Sequence, residues 1–235
     1  MPSTTQPLRV EASGPAWFKT IRSVFRSMGF VQCRADPCFF VRRSDRDGSN
    51  SSAIIALYVD DLLVGSADEG EIELIRQSLA AHFTVKALGD AHHALGMEIE
   101  YDRGKGELLL KRKQLVAKMV ARFDQQDANP VRNRMVFGQV LAPDSSHAVL
   151  ESATQYCELI GTLMYFANAT RPDISVALMI LSQYLDTPTE MHWRAAVRVL
   201  RYLMGTDSHG LRFAADTQSI ITTYCDANWG NDKAS

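Results

Sequence analysis

The sequence predicts an α+β fold: part of a β-sheet backed by helices in the first half, then a mainly helical region. Three observations predict it. Apolar residues recur at helical spacing over 17–28, the apolar run over 54–64 is interrupted only by Asp60-Asp61, and 95–102 alternates apolar with polar residues. With 235 residues, 46% hydrophobic and 22% charged, the chain has material for a packed core and lacks the composition of a disordered protein. Lys and Arg total 25 against 27 Asp and Glu, a net charge of -2, so any contact with a polyanion has to be local.

Taken in order, residues 1–15 carry Pro2, Pro7, Gly14 and Pro15 and read as a loose lead-in. Trp17, Ile21, Val24, Phe25 and Met28 then line one face of a helix that stops at Gly29. Two strands are expected over 38–41 and 53–59, joined by the charged, serine-rich 42–52. Asp60-Asp61 occupies a tight turn before Leu62-Leu63-Val64. Ser66 and Glu69 have the spacing of a capping box for a helix that buries Ile72, Ile75 and Leu79. A half-buried strand over 95–102 turns through Gly104 and Gly106 into 107–111, and a helix follows with Leu115, Met119, Val120 and Phe123 inward. The stretch 127–150 has little periodicity and reads as a linker. Three helices are expected near 151–167, 172–185 and 188–204, the last with Thr187 as cap, Pro188 at its first position and Glu190 completing a capping box. Strands over 210–214 and 220–225 look like the start of something left unfinished.

Cys33, Cys38, Cys157 and Cys225 form no C-x-x-C pair and read as free thiols. No run reaches the ~18 apolar residues of a membrane span. The expectation is a soluble, intracellular protein with no membrane partner.

Adjacent carboxylates inside an apolar hairpin repel one another, and a divalent cation is the natural compensation. Phosphoryl transfer by two metal ions uses such carboxylates, and magnesium suits them because it takes one or two and completes its octahedron with water and substrate phosphate. The plainer reading is turn chemistry, since Asp favours turns. Against it, two-residue hairpins prefer Asn-Gly or Asp-Gly, so Asp-Asp is a poor choice for folding alone.

Several blocks in order carry a resemblance: Trp17-Phe18, Ala35-Asp36-Pro37-Cys38, Leu57-Tyr58-Val59-Asp60-Asp61, Leu95-Gly96-Met97-Glu98-Ile99, Leu159-Ile160-Gly161-Thr162-Leu163-Met164-Tyr165 and Ala169-Thr170-Arg171-Pro172-Asp173-Ile174. His192-Trp193, then Arg198 to Thr206, and Tyr224-Cys225-Asp226-Ala227-Asn228-Trp229 continue the series. Together they resemble the reverse transcriptase of copia-type retrotransposons, running into the start of an RNase H domain. The resemblance implies a partial polymerase palm at 16–126, the linker at 127–150, a helical connection region at 151–209 and a truncated RNase H start at 210–235. It implies that Asp60 and Asp61 bind catalytic Mg2+, with Mn2+ as a possible substitute. It places Tyr58 and Val59 beside the primer end, Leu95 and Gly96 in a primer-gripping strand and Lys86 near the incoming nucleotide, and it makes Asp226 the first RNase H acid. The implied partners are an RNA or DNA template-primer and dNTPs, in a nucleus or cytoplasmic particle.

The family places a third palm carboxylate on an earlier strand. Only fifteen residues precede Ala16, Glu11 is the one acid among them, and nothing there matches. The expectation is negligible polymerase activity for this chain alone. The alternative is a non-catalytic remnant, at most a nucleic-acid-binding or interaction module. Lys111-Arg112-Lys113 with Lys118 and Arg122, and the stripe Arg194, Arg198 and Arg201, are the candidate phosphate contacts; the plainer readings are a solvated face for the first and the charged flank of a packed helix for the second.

Overall fold

A computed structural model describes residues 14–44, 51–136, 141 and 148–215. The chain forms two compact units, 1–91 and 92–235. Helices and two antiparallel sheets share it, as an α+β fold requires.

The first unit holds α1 (Gly14–Ser27), β1 (Val31–Gln32), β2 (Phe39–Ser44), β3 (Ser51–Tyr58), β4 (Asp61–Gly65) and α2 (Glu69–Ala80). The strands lie in the order β1-β2-β3-β4, each antiparallel to its neighbour. Period two along β3 buries Ala53, Ile55 and Leu57 and leaves Ile54 and Tyr58 outside. Ile21 and Phe25 of α1, Phe40 of β2 and Ile75 and Leu79 of α2 close over the buried set. Each such side chain contributes about 1.5–3 kcal/mol relative to exposure.

A polar knot ties this unit together. Arg42 donates to the Met28 carbonyl (2.8 Å) and to Glu71 Oε1 (3.0 Å), its guanidinium lies 4.7 Å from the Phe30 ring centroid, and Ser66 Oγ donates to Glu71 Oε2 (2.5 Å). The capping box expected from Ser66 and Glu69 is therefore absent. Ser66 is engaged by Glu71, and Asp68 caps α2 instead, its carboxylate accepting the Gly70 N–H at 2.8 Å.

The second unit contains β5 (His93–Ala94), β6 (Met97–Asp102), β7 (Glu107–Lys111), α3 (Lys113–Arg122), α4 (Thr154–Ala169), α5 (Ser175–Leu181), α6 (Glu190–Gly205) and β8 (Leu211–Ala214), with single 3-10 turns at Pro172–Ile174 and Ser182–Tyr184. Its core is helical. Met119 of α3, Leu159, Ile160, Leu163 and Phe166 of α4, Leu178 and Leu181 of α5, and Val199, Leu200 and Leu203 of α6 are buried together. The strand expected at 210–214 is not an orphan: β8 pairs with β7 and completes a sheet of order β5-β6-β7-β8. The strand expected at 220–225 lies outside the described residues.

The last helix starts later than expected. Thr189, not Thr187, is its cap, and His192 takes the place foreseen for Glu190. His192 Nδ1 accepts the Thr189 N–H at 2.9 Å, so Nε2 carries the hydrogen and donates to the Leu141 carbonyl at 2.9 Å, while Tyr184 stacks on the ring. The expected linker is also packed where it is described. Val131 N–H donates to the Arg201 carbonyl, and Leu141 is buried in the helical core.

Arg171 closes the fold between the end of α4 and the end of α6. It is 3% exposed, forks onto both Asp173 oxygens (2.9 Å each), and donates to the Thr206 carbonyl (2.9 Å) and hydroxyl (2.7 Å). Tyr202 Oη donates to the same carboxylate at 2.8 Å.

Candidate functional site

The acid pair sits on the β3–β4 hairpin, but the turn differs from expectation. Tyr58 pairs with Asp61, so the two-residue loop is Val59-Asp60, and Asp61 is the first residue of β4. Alternation then sets Asp61 and Tyr58 on the sheet face opposite α1 and α2, with Ile54 and Leu63. Both aspartates are exposed, as are Tyr58 and Val59.

Val59 has φ +53° and Asp60 does not share the positive sign, the arrangement of a type II′ turn whose first position normally takes glycine. A β-branched residue there stores about 1–3 kcal/mol of strain. Two contacts hold it. Trp17 Nε1 donates to the Val59 carbonyl at 2.9 Å, and the Trp17 ring meets Phe83 edge-on at 5.2 Å. In the sequence Trp17 stands out through its helical face and the Trp17-Phe18 block; the signal for its bond to the hairpin is the indole N–H, which seeks a partner when the ring packs.

Val59→Gly is accordingly expected to raise the unfolding free energy of the first unit by about 1 kcal/mol, because glycine removes the strain at a smaller entropic cost. Trp17→Phe, which keeps the ring contact and removes the donor, is expected to lower it by about 1 kcal/mol. Urea denaturation followed by hydrogen exchange of β3 and β4 amides measures both. No gain on Val59→Gly would show that the turn is unstrained.

As metal donors the pair fits magnesium in kind. Exposed carboxylate oxygens leave room for the water and phosphate ligands that magnesium retains. Among the described residues no three of His, Cys, Asp and Glu come together as a fuller metal-binding group. Lys86 is exposed in the irregular stretch after α2, beside Val85, which packs on the core.

Leu95 and Gly96 belong to the second unit and form a turn, not the start of a strand. Ala94 pairs with Met97, and both loop residues have positive φ (+53° and +73°), the signature of a type I′ hairpin. His93 pairs with Glu98 in β5. Behind the turn, buried Arg112 donates to the carbonyls of Tyr165 (3.0 Å) and Leu95 (3.4 Å), with its guanidinium 3.8 Å from the Tyr165 ring centroid. Arg112 is thus spent on structure. The rest of its basic cluster is largely neutralised, since Lys111 pairs with Glu100, Lys113 with Asp207 and Arg122 with Glu158. Asp226 lies outside the described residues. No helix among them is long and apolar enough to cross a membrane.

Comparison with known proteins bears on the same residues. The reverse transcriptase (RNA-dependent DNA polymerase) family matches residues 9–136. The chain is 31% identical over 221 residues to the retrovirus-related Pol polyprotein from transposon TNT 1-94 of Nicotiana tabacum, covering 92% of this chain and 16% of that protein. It is 34% identical over 217 residues to the Pol polyprotein from transposon RE2 of Arabidopsis thaliana, covering 92% and 14%. A putative transposon Ty5-1 protein of Saccharomyces cerevisiae is 29% identical over 218 residues, with 91% of this chain and 68% of its own length aligned. The chain therefore spans about one-sixth of the large polyproteins it matches. No solved structure matches it. With its hairpin acids inside the matched segment, the chain belongs to the reverse transcriptase family of copia-type retrotransposon Pol polyproteins.

Proposed function

We propose that residues 16–126 are part of an RNA-directed DNA polymerase palm, in which Asp60 and Asp61 hold the magnesium used for nucleotidyl transfer and manganese can replace it. The observation that carries this reading is the hairpin itself. A turn whose first position would fold more easily as glycine instead carries a strained valine and presents two solvent-facing carboxylates beside an exposed tyrosine. Bound metal would lower the charge on the attacking and leaving oxygens. In this reading Tyr58 and the Val59 backbone border the primer end, the Leu95-Gly96 turn grips it, Lys86 faces the incoming nucleotide, 151–209 is a connection region and 210–235, with Asp226, opens an RNase H domain. Template-primer and dNTPs are the partners.

The 235 residues contain no match to the third palm carboxylate, so the chain assayed by itself is proposed to be inactive. A non-catalytic nucleic-acid-binding role is the second reading.

Two measurements separate these. Primer extension on an RNA template with Mg2+ or Mn2+ is expected to give no product from the chain alone. Mn2+ line broadening in NMR spectra is expected to centre on Tyr58, Val59 and Asp61 and to vanish in Asp60→Asn and Asp61→Asn. Extension that both substitutions abolish would refute inactivity and show that another acid completes the site. Broadening that ignores both substitutions would remove the metal-binding role.

A further inference from the structure

The clearest unneutralised positive charge in the second unit is carried by residues outside its Leu95-Gly96 hairpin. The acid-free stretch 128–136 lies along α6, and the two elements bring four arginines together. Arg132, Asn133, Arg134 and Tyr202 help to line a surface pocket. Arg198 Nη2 donates to Asn133 Oδ1 (2.7 Å) and Arg201 Nε to the Asn129 carbonyl (2.7 Å), so two arginines of α6 reach the stretch that carries Arg132 and Arg134.

None of these four arginines forms an ion pair with a described residue, unlike Arg122, Arg171, Arg194 and Arg212. The Nε of Arg198 is buried without any hydrogen-bond partner among the described residues. The acids nearest in the bonding network are already committed. Asp173, reached through the Tyr202 hydroxyl, is held by the Arg171 fork, and Glu190 is paired with Arg194. Guanidiniums left without carboxylates favour anions with paired oxygens, and phosphate accepts their planar fork.

We propose that Arg132 and Arg134, supported by Arg198 and Arg201, form a contact site for the phosphodiester backbone of a nucleic acid. The choice of nucleic acid rests on the reverse transcriptase reading; the charge arrangement does not. Such contacts position a strand without reading its sequence. Each phosphate neutralised adds close to one to the slope of log affinity against log salt.

The test is binding of a short labelled RNA–DNA hybrid to the folded full chain across a salt series. Arg132→Gln/Arg134→Gln is expected to flatten the salt slope by about two and to weaken binding at low salt. Arg132→Lys/Arg134→Lys keeps the charge and is expected to stay near the parent slope. Neither pair makes a described ion pair, so circular dichroism and melting should be unchanged. An unchanged slope in the glutamine variant overturns the proposal, as does a folded parent chain that fails to retain the hybrid at low salt. Inorganic tripolyphosphate is run in parallel; displacement of the hybrid at matched phosphate concentration would assign the pocket to small anions and overturn the nucleic-acid assignment. Failure here leaves the metal reading of Asp60 and Asp61 standing, because Mn2+ broadening at the hairpin is read separately.

Discussion

Arg171→Ala is expected to destabilise the second unit by about 3–5 kcal/mol, the usual result of removing one partner from a buried, hydrogen-bonded ion pair. The deletion strips Asp173 of both fork bonds and leaves the Thr206 carbonyl and hydroxyl without their donor, at the point where the end of α4 meets the end of α6. Arg171→Lys is expected to recover only part of this, since one ammonium cannot serve two carboxylate oxygens and a carbonyl in the same plane. Urea unfolding gives the magnitude. A midpoint unchanged in the alanine variant would mean that the clamp contributes nothing.

The same clamp sets a pH dependence. Burial pushes the Asp173 carboxyl up, yet the hydrogen bonds from Arg171 and Tyr202 outweigh it and hold the group below its ordinary value. The unfolded chain therefore takes up this proton more readily than the folded one. The stabilisation is complete above the ordinary aspartate range and is lost as pH falls through the depressed folded value. Asp173→Asn should flatten the acid side of a stability-against-pH curve; an unaltered acid limb would assign that slope to other groups.

Gly210→Ala should detach β8 from β7. A Cβ at this position would lie 2.0 Å from the Leu110 carbonyl oxygen and 2.9 Å from its carbon. No rotamer relieves the overlap, because the backbone fixes the Cβ and the obstacle is itself backbone. Leu110 faces Leu211 in the ladder, so the collision falls at the first pair of the β7–β8 register. Amides between these strands are expected to exchange at least about tenfold faster, while the β6–β7 ladder keeps its protection. Equal protection in the variant would show that the chain can shift aside there.

The elements that rest on local pattern were legible in the sequence. The helical spacing behind α1, the apolar run behind β3 and β4 and the inward pattern of α3 each reflect a face that has to be buried, and burial is what the structure shows. Choices between chemically similar neighbours were not legible. Ser66 and Asp68, or Thr187 and Thr189, satisfy the same capping rule, and the outcome follows Glu71 and His192, which distant groups hold in place, Arg42 on the first and the Leu141 carbonyl on the second. The Leu95-Gly96 turn was hidden because Leu95 continues the apolar alternation of β6, and a leucine at positive φ contradicts ordinary turn chemistry. The pairing of β8 with β7 joins residues about a hundred positions apart, which no local pattern encodes. At the acid pair the sequence exposed the residue types, while the position of the turn one residue earlier and the Trp17 donor behind it came only with the register.

The Tyr58–Asp61 pairing also determines how this hairpin can evolve. With only Val59 and Asp60 between the paired residues, one extra residue carried into β4 would slip its register by one and turn every side chain over. Asp61 would then face the layer of Ile55 and Leu57, and Leu62 and Val64 would face solvent. The register therefore constrains the length of this loop apart from its residue types, and descendants of this element that keep the acid pair should also keep two residues between the paired positions.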